Sequence, residues 1–265
     1  EKMKKILLIG GGGYVGTVIT DFFLRQNISV NVLDNFIYDH KLAVKKFISN
    51  KKFNLIEGDF CDLKKLDLAL KDVSEVIFLG GLVGDPITKK YKDLNQKNNI
   101  DGIKDCINYL NSKRINKLIF VSTCSNYGII PQNALAHEEY ELKPLSLYAK
   151  AKVEIEKFIL KNKTKYIFDS IILRFATAFG LSERMRFDLT VNEFTLDLLE
   201  KKTLEVYDPD TWRPYCHVKD FAKIMMKILE VNTGELKSEI FNCGSNSNNH
   251  TKRDIVNIIK SKIDN

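Results

Sequence analysis

The feature that most constrains this chain is a short apolar run, Ile6-Leu7-Leu8-Ile9, that opens directly onto glycines at positions 10, 13 and 16. A continuous apolar run reads as a strand buried on both faces, the state of strands in a parallel sheet. A G-x-x-G-x-x-G spacing between such a strand and a helical pattern makes a strand–turn–helix unit. Gly10 permits the tight turn, Gly13 lets backbone approach a pyrophosphate, and Gly16 lets the helix pack closely on the sheet. The helix N-terminus then offers free N–H groups and a partial positive charge to phosphates. Glycines also mark ordinary turns, so this reading rests on what flanks them.

The flanking pattern supports it. Strands are expected at 5–9, 30–33, 54–57, 76–79, 118–122 and 171–175, with helix-length segments between, as at 13–26, 63–71 and 100–111. This alternation predicts an α/β fold, a doubly wound parallel Rossmann-type sheet. It fades after Phe175, and residues 184–213 and those beyond Asn242 read as insertions that build a smaller C-terminal substrate lobe. That lobe would cover the carboxyl edge of the sheet, where open α/β sheets bind ligands. The expected division is 1–175 with a returning segment at about 215–242 for the dinucleotide-binding domain, and 176–214 with 243–265 for the lobe.

Asp34 ends the second expected strand. A carboxylate there accepts hydrogen bonds from both ribose hydroxyls and repels a 2′-phosphate, so the sequence predicts NAD rather than NADP. Asp59 and Phe60, just after the third strand, are placed to meet an adenine edge and face, with an ordinary strand-ending turn at Gly58-Asp59 as the competing reading.

Further on, Tyr148 and Lys152 lie four apart in a helical segment, hence on one face and about 6 Å apart. Lys150 falls on a different face. Tyrosine, with a reference pKa of about 10, is a poor base at neutral pH. A neighbouring ammonium favours the phenolate and brings it into a useful range. Thr123, at the end of the fifth strand, supplies a hydroxyl for a reacting oxygen. Tyr-x-x-x-Lys alone is common by chance; with the glycine loop and Ser122-Thr123 it describes an apparatus for moving a proton and a hydride at a carbinol.

Composition narrows the rest. The net charge of +7 is spread over nearly every expected helix, without a recognition motif, so it reads as a lysine-rich surface and not a nucleic-acid site. No apolar run has the length of a membrane span. The chain runs at once into a strand, so no signal peptide is expected. Five scattered cysteines without a C-x-x-C pair point to a reducing, cytoplasmic setting and to no metal site.

Together these motifs resemble the extended short-chain dehydrogenases/reductases, the NAD-dependent epimerase/dehydratase family acting on nucleotide sugars. The resemblance is carried by Gly10 to Gly16, Leu33-Asp34-Asn35, Gly58-Asp59, Phe78 to Gly81, Asn99, Ser122 to Gly128, Tyr148 to Lys152, Leu173 to Phe175, Trp212-Arg213-Pro214 and His217-Val218. It implies catalytic Thr123, Tyr148 and Lys152. It implies cofactor contacts at Gly10, Gly13, Tyr14, Val15, Gly16, Asp34, Asn35, Asp59, Phe60, Leu79, Gly80, Gly81, Leu82 and Asn99, with Tyr148 and Lys152 completing the set. Substrate contacts would come from Thr123, from Arg213 as a fork on the diphosphate, and from Arg184 and Arg186, whose segment resembles members that modify surface-polysaccharide sugars, heptoses included. The arginines read equally well as partners of Glu183 and Asp188 in a solvated turn.

Two departures matter. The usual Ala-Ala after the fourth strand is Gly80-Gly81, and the acidic residues that 4,6-dehydratases carry after the threonine are Cys124 and Ser125. Dehydration is therefore disfavoured, and Cys124 reads as a packed thiol. His217 resembles a helix-starting position, and His137 and Glu138 read as solvated loop. Family members generally continue past the equivalent of Asn265 with more of the lobe. The expected activity is an NAD-dependent nucleotide-sugar epimerase working by transient oxidation at C4, as a homodimer. A net dehydrogenase or reductase on the same substrates, and a non-catalytic dinucleotide sensor, are the alternatives.

Overall fold

The computed structural model describes residues 5–82, 93, 96–131, 134–200 and 203–263. The first half alternates strand and helix: β1 (Lys5–Ile9), α1 (Tyr14–Arg25), β2 (Ser29–Asp34), a 3-10 segment (Lys41–Phe47), β3 (Phe53–Glu57), α2 (Leu63–Ala69) and β4 (Glu75–Phe78). A π turn (Lys97–Gly102) then runs into α3 (Ile103–Leu110), followed by β5 (Lys117–Thr123), α4 (Leu147–Asn162) and β6 (Asp169–Phe175). The remainder comprises β7 (Thr177–Phe179), α5 (Thr190–Leu199), β8 (Trp212–His217), α6 (Val218–Glu230), β9 (Ile240–Cys243), β10 (Asn249–Thr251) and α7 (Lys252–Ile263).

The main sheet has the order β3-β2-β1-β4-β5-β6-β9, and every neighbouring pair is parallel. Its apolar runs divide by alternation between two cores. Ile6 and Leu8 join the core under α1 and α6, with Phe23, Phe221 and Met225. Leu7 and Ile9 join the core under α2, α3 and α4, with Ile107, Ile155 and Ile159. The chain leaves β1 toward β2 on one side and resumes at β4 on the other, so a crevice opens beyond the ends of β1 and β4.

The six expected strands are all present, with ends shifted by a residue or two; β4 stops at Phe78, which leaves Leu79 in the turn. The seventh strand, β9, was not anticipated, since a four-residue run ending in Asn-Cys gives almost no periodic signal. Beyond β6 a second sheet forms, β10-β8-β7, in which β8 runs parallel to β7 and antiparallel to β10. β8 straddles the division expected near residue 215. The small core beneath it comprises Phe194, Tyr215, Ile255 and Ile259. Among the described residues no helix is long and apolar enough to cross a membrane.

Candidate active site

The glycine loop is shaped by close contacts of its own backbone. Gly10 has φ +78°, and a Cβ there would lie 2.6 Å from the Cα of Gly80. The loop between β1 and α1 therefore touches the turn after β4, and the contact requires glycine at position 10. A Cβ at Gly16 would lie 2.6 Å from the Cα of Gly11. Gly16 thus packs the helix against the loop itself, a correction to the expected packing on the sheet. A Cβ at Gly13, by contrast, would have a single neighbour, the Gly10 carbonyl at 3.5 Å. Gly13 is also the N-cap of α1 and offers no capping side chain. The first-turn N–H groups thus look onto an open cradle without acidic residues, which suits a pyrophosphate. Val15 is half-buried, whereas Tyr14 is turned toward the lobe. Its hydroxyl donates to Gly180 O (2.6 Å) and accepts from Asn192 Nδ2 (3.0 Å).

Asp34 is buried at the end of β2, its Oδ2 accepting from Gly12 N (2.9 Å) and its Oδ1 from Phe36 N (2.8 Å). A carboxylate has about four lone-pair sites, so capacity remains for ribose hydroxyls. Asn35 donates to Asp59 Oδ2 at 3.2 Å, and Asp59 Oδ1 accepts from Cys61 N at 2.9 Å, which makes Asp59 a turn-former. Phe60 is not the expected platform for adenine: its ring is buried edge-on against Phe78, centroids 5.1 Å apart. Gly81 has φ +121°, and a Cβ there would strike Asn99 Oδ1 at 2.6 Å. Asn99, itself buried, accepts from Leu82 N (2.7 Å) and donates to Leu82 O (2.9 Å). Gly81 is thus accounted for by its positive φ and the approach of Asn99, and Asn99 holds the Leu79–Leu82 turn in place.

On the far side of the crevice, Ser146 caps α4 by accepting from Ala149 N (3.1 Å), which starts the helix one turn before Lys152. The Lys152 ammonium is buried; it donates to Val121 O (2.8 Å) and lies 4.6 Å from the Phe120 ring centroid and 5.8 Å from that of Tyr148. Burial pulls its pKa down to about 8, against the opposing charge of Glu156. Val121 lies two residues before Thr123, so β5 holds the lysine and presents the threonine together. Thr123 is buried, and its Oγ1 accepts from Ser125 N (3.2 Å).

Behind these groups lies a network that the sequence reading missed. Glu156 is buried and accepts from Ser122 Oγ (2.5 Å), Asn126 Nδ2 (2.8 Å) and Arg174 Nη2 (2.7 Å). Arg174 also donates to the Tyr127 hydroxyl and to Glu138 O, each at 2.8 Å. Glu138 in turn accepts from Asn242 N at 2.8 Å, so it anchors its loop to β9 where a solvated residue was expected. The signal was available: Glu156 follows Lys152 at the same four-residue spacing that links Lys152 to Tyr148.

The lobe arginines take different partners. Arg186 forms an ion pair with Asp188 (2.5 Å), and its charge reaches Tyr148. Arg213 is exposed on β8, and its charge reaches Cys124. Arg184 lies over the Tyr38 ring (5.4 Å) beside Asp34, close enough to Arg186 for the two charges to oppose each other. Glu183 pairs with Lys46 across 2.6 Å and leaves the arginines alone. Burial pushes the Cys124 thiol up to about 11 despite Arg213. His217 caps α6, its Nδ1 accepting from Lys219 N (3.2 Å). Among the described residues no three His, Cys, Asp or Glu side chains are grouped to hold a metal ion.

Known proteins resemble this chain. The profile of the NAD dependent epimerase/dehydratase family matches residues 6–244. The UDP-glucose 4-epimerase of Corynebacterium glutamicum is 28% identical over 259 residues, covering 91% of this chain and 75% of its own. UDP-glucuronic acid decarboxylase 1 of Danio rerio is 25% identical over 270 residues, covering 98% of this chain and 61% of its own. The crystal structure of UDP-glucuronic acid 4-epimerase from Bacillus cereus with UDP-glucuronic acid and NAD superposes with a TM-score of 0.86 at 24% identity, over 98% of this chain and 83% of that one. With a match that spans the glycine loop, the Tyr148/Lys152 helix and β9, the chain belongs to the NAD dependent epimerase/dehydratase family.

Proposed function

We propose that this protein is an NAD-dependent nucleotide-sugar epimerase that inverts a ring carbinol, C4, by transient oxidation. The observation that carries this reading is the Lys152 ammonium, buried between the Val121 carbonyl and the Tyr148 ring, behind Thr123 and across the crevice from the glycine loop. Gly10, Gly13 and Gly16 with the first turn of α1 would hold the NAD pyrophosphate, and Asp34 the adenosine ribose. When bound, NAD supplies a reversible two-electron acceptor.

The protein's own groups do the rest. Tyr148 takes the hydroxyl proton of the carbinol onto its phenolic oxygen and later returns it. Lys152 stabilises the phenolate that Tyr148 needs as a base. Thr123 donates to the reacting oxygen, and Arg213 holds the substrate diphosphate from the lobe. Cys124 does not replace the missing dehydratase carboxylates, because a thiol pushed up to about 11 stays protonated at neutral pH. Relatives that act on UDP-sugars support the substrate class. We place the protein in the cytoplasm, in keeping with five free cysteines, and as a homodimer through α3 and α4, which Lys104 and Glu154 join by an ion pair.

The test is product mass from the purified protein with NAD and a panel of nucleotide sugars, UDP-sugars first. An isomer of unchanged mass without net cofactor change is expected. Gain or loss of two hydrogens with matching cofactor turnover would replace the epimerase with a dehydrogenase or reductase, and loss of water would overturn the argument from Cys124 and Ser125.

A further inference from the structure

At the corner of the crevice marked by Asp34, one side chain arrives from the lobe. Arg184 sets its guanidinium over the Tyr38 ring, 5.4 Å from the centroid, and its charge reaches Asp34. The same corner holds His40, whose side chain is only 10% exposed. Neither of its ring nitrogens has a hydrogen-bond partner among the described residues, and Nε2 faces Asp34 Oδ1 across 3.7 Å. The rings of Phe36 (5.2 Å) and Tyr38 (6.0 Å) pack beside it and fix its direction. Buried polar groups are almost always satisfied, so an imidazole placed this way next to a carboxylate is short of a hydrogen-bond partner.

We propose that Arg184, Tyr38 and His40 form a clasp on the adenosine ribose of bound NAD: His40 shares the ribose diol with Asp34, and the Arg184–Tyr38 stack closes over it. The clasp rests on the glycine crevice being the cofactor site and is independent of which sugar is processed. It moves Arg184 from the substrate to the cofactor.

The segment that carries Arg184 is itself fastened to α1. Ser182 Oγ donates to Tyr14 O (2.7 Å) and meets Thr17 Oγ1 (2.8 Å), and Glu183 holds Lys46 at 2.6 Å. Release of the adenosine half then requires Arg184 to leave Tyr38 or the whole segment to lift from the helix. The cofactor is therefore retained from one turnover to the next. Retention suits a reaction that returns its electrons to the same substrate and slows one that exchanges NADH every cycle.

The experiment is release of NADH from the loaded protein, chased with excess NAD and followed by fluorescence. R184A and Y38L are each expected to speed release roughly three- to thirtyfold, the scale of a cation–aromatic contact. The double variant should be little faster than the faster single one, as for two halves of one contact. H40F, which keeps a ring and removes both nitrogens, should weaken NADH binding roughly three- to tenfold. L181A, at a side chain 79% exposed in the same segment, serves as control and should release at the wild-type rate. Melting curves without NADH measure what each substitution does to the free protein, and the change in release should exceed what they account for. Wild-type release from R184A, or effects that multiply in the double variant, would overturn the clasp. Clasp-dependent retention in a protein that converts no nucleotide sugar would uphold the clasp and sink the epimerase.

Discussion

The two walls of the crevice are built by different forces. The sheet wall carries Thr123 at the end of β5, the glycine loop after β1 and, packed on it through α4, Lys152; its strands fill two continuous cores, and behind it the Arg174–Glu156 pair is almost wholly excluded from water. Among the described residues the lobe wall rests on a small core of buried hydrophobic side chains and is tied to α1 by hydrogen bonds, chiefly from Tyr14, Ser182 and Asn192. Apolar burial is additive and hard to undo locally, while a few polar ties open at a cost of about 1 kcal/mol each. On the proposed function, then, one wall is fixed for chemistry and the other is free to admit and hold ligands.

The largest effect should come from the reacting group on the fixed wall. Tyr148→Phe removes only the phenolic oxygen proposed as proton acceptor and should lower turnover roughly 10²- to 10⁴-fold. NADH binding measured by fluorescence titration should barely change. Normal turnover in that variant would sink the mechanism.

Next comes the buried pair. Glu156→Gln leaves Arg174 charged, buried and half-satisfied, and should cost about 3–5 kcal/mol in urea unfolding. Should the cost stay below about 1 kcal/mol, the sheet wall is no more rigid than the lobe, and the contrast fails.

Lys152 offers a sharper test, because its cation is buried without a carboxylate of its own. Its native pKa, about 8, lies below the ordinary 10.5. Below pH 8 both states are protonated and the native state bears the cost of the buried charge. Between about 8 and 10.5 the native lysine loses its proton while the unfolded one keeps it, so stability rises with pH in that window. Without cofactor, Lys152→Met should therefore be more stable than wild type at pH 7, by on the order of 2–3 kcal/mol. That gap should close on titration to pH 10; a gap independent of pH would mean that the ammonium is not desolvated.

The same contrast governs what the sequence disclosed. The sheet wall was legible because period-two burial and a glycine turn leave strong local marks: Ile6 to Ile9, Gly10 and Tyr148/Lys152 all fall where the pattern put them. The lobe wall was not, since its strands are as short as Thr177–Phe179 and its partners are far apart in sequence. No local pattern announces that Tyr14 will bond Gly180, or that Arg184 will leave Glu183 for Tyr38. Phe60 is ambiguous for a related reason: an aromatic just after a strand can face a ligand or the core, and its edge-on contact with Phe78 turns it toward the core.

The smallest predicted effects lie on the lobe wall and test whether it moves as a unit. Asn192, buried, donates to the Tyr14 hydroxyl and Arg186 O and accepts from Gly180 N, so it joins helix, strap and strand. Asn192→Ala should cost about 1–3 kcal/mol locally. It should act on KM for the nucleotide sugar and on NADH release, with kcat little altered, because Lys152 and Thr123 are held by β5 and do not depend on this tie. Lys46→Ala, which removes exposed pairs with Glu183 and with Asp21 of α1, should cost at most about 1 kcal/mol and shift the same two readouts in the same direction, less at high salt. If Asn192→Ala lowers kcat as much as it raises KM, the lobe is part of the reacting geometry, and the walls are not separable.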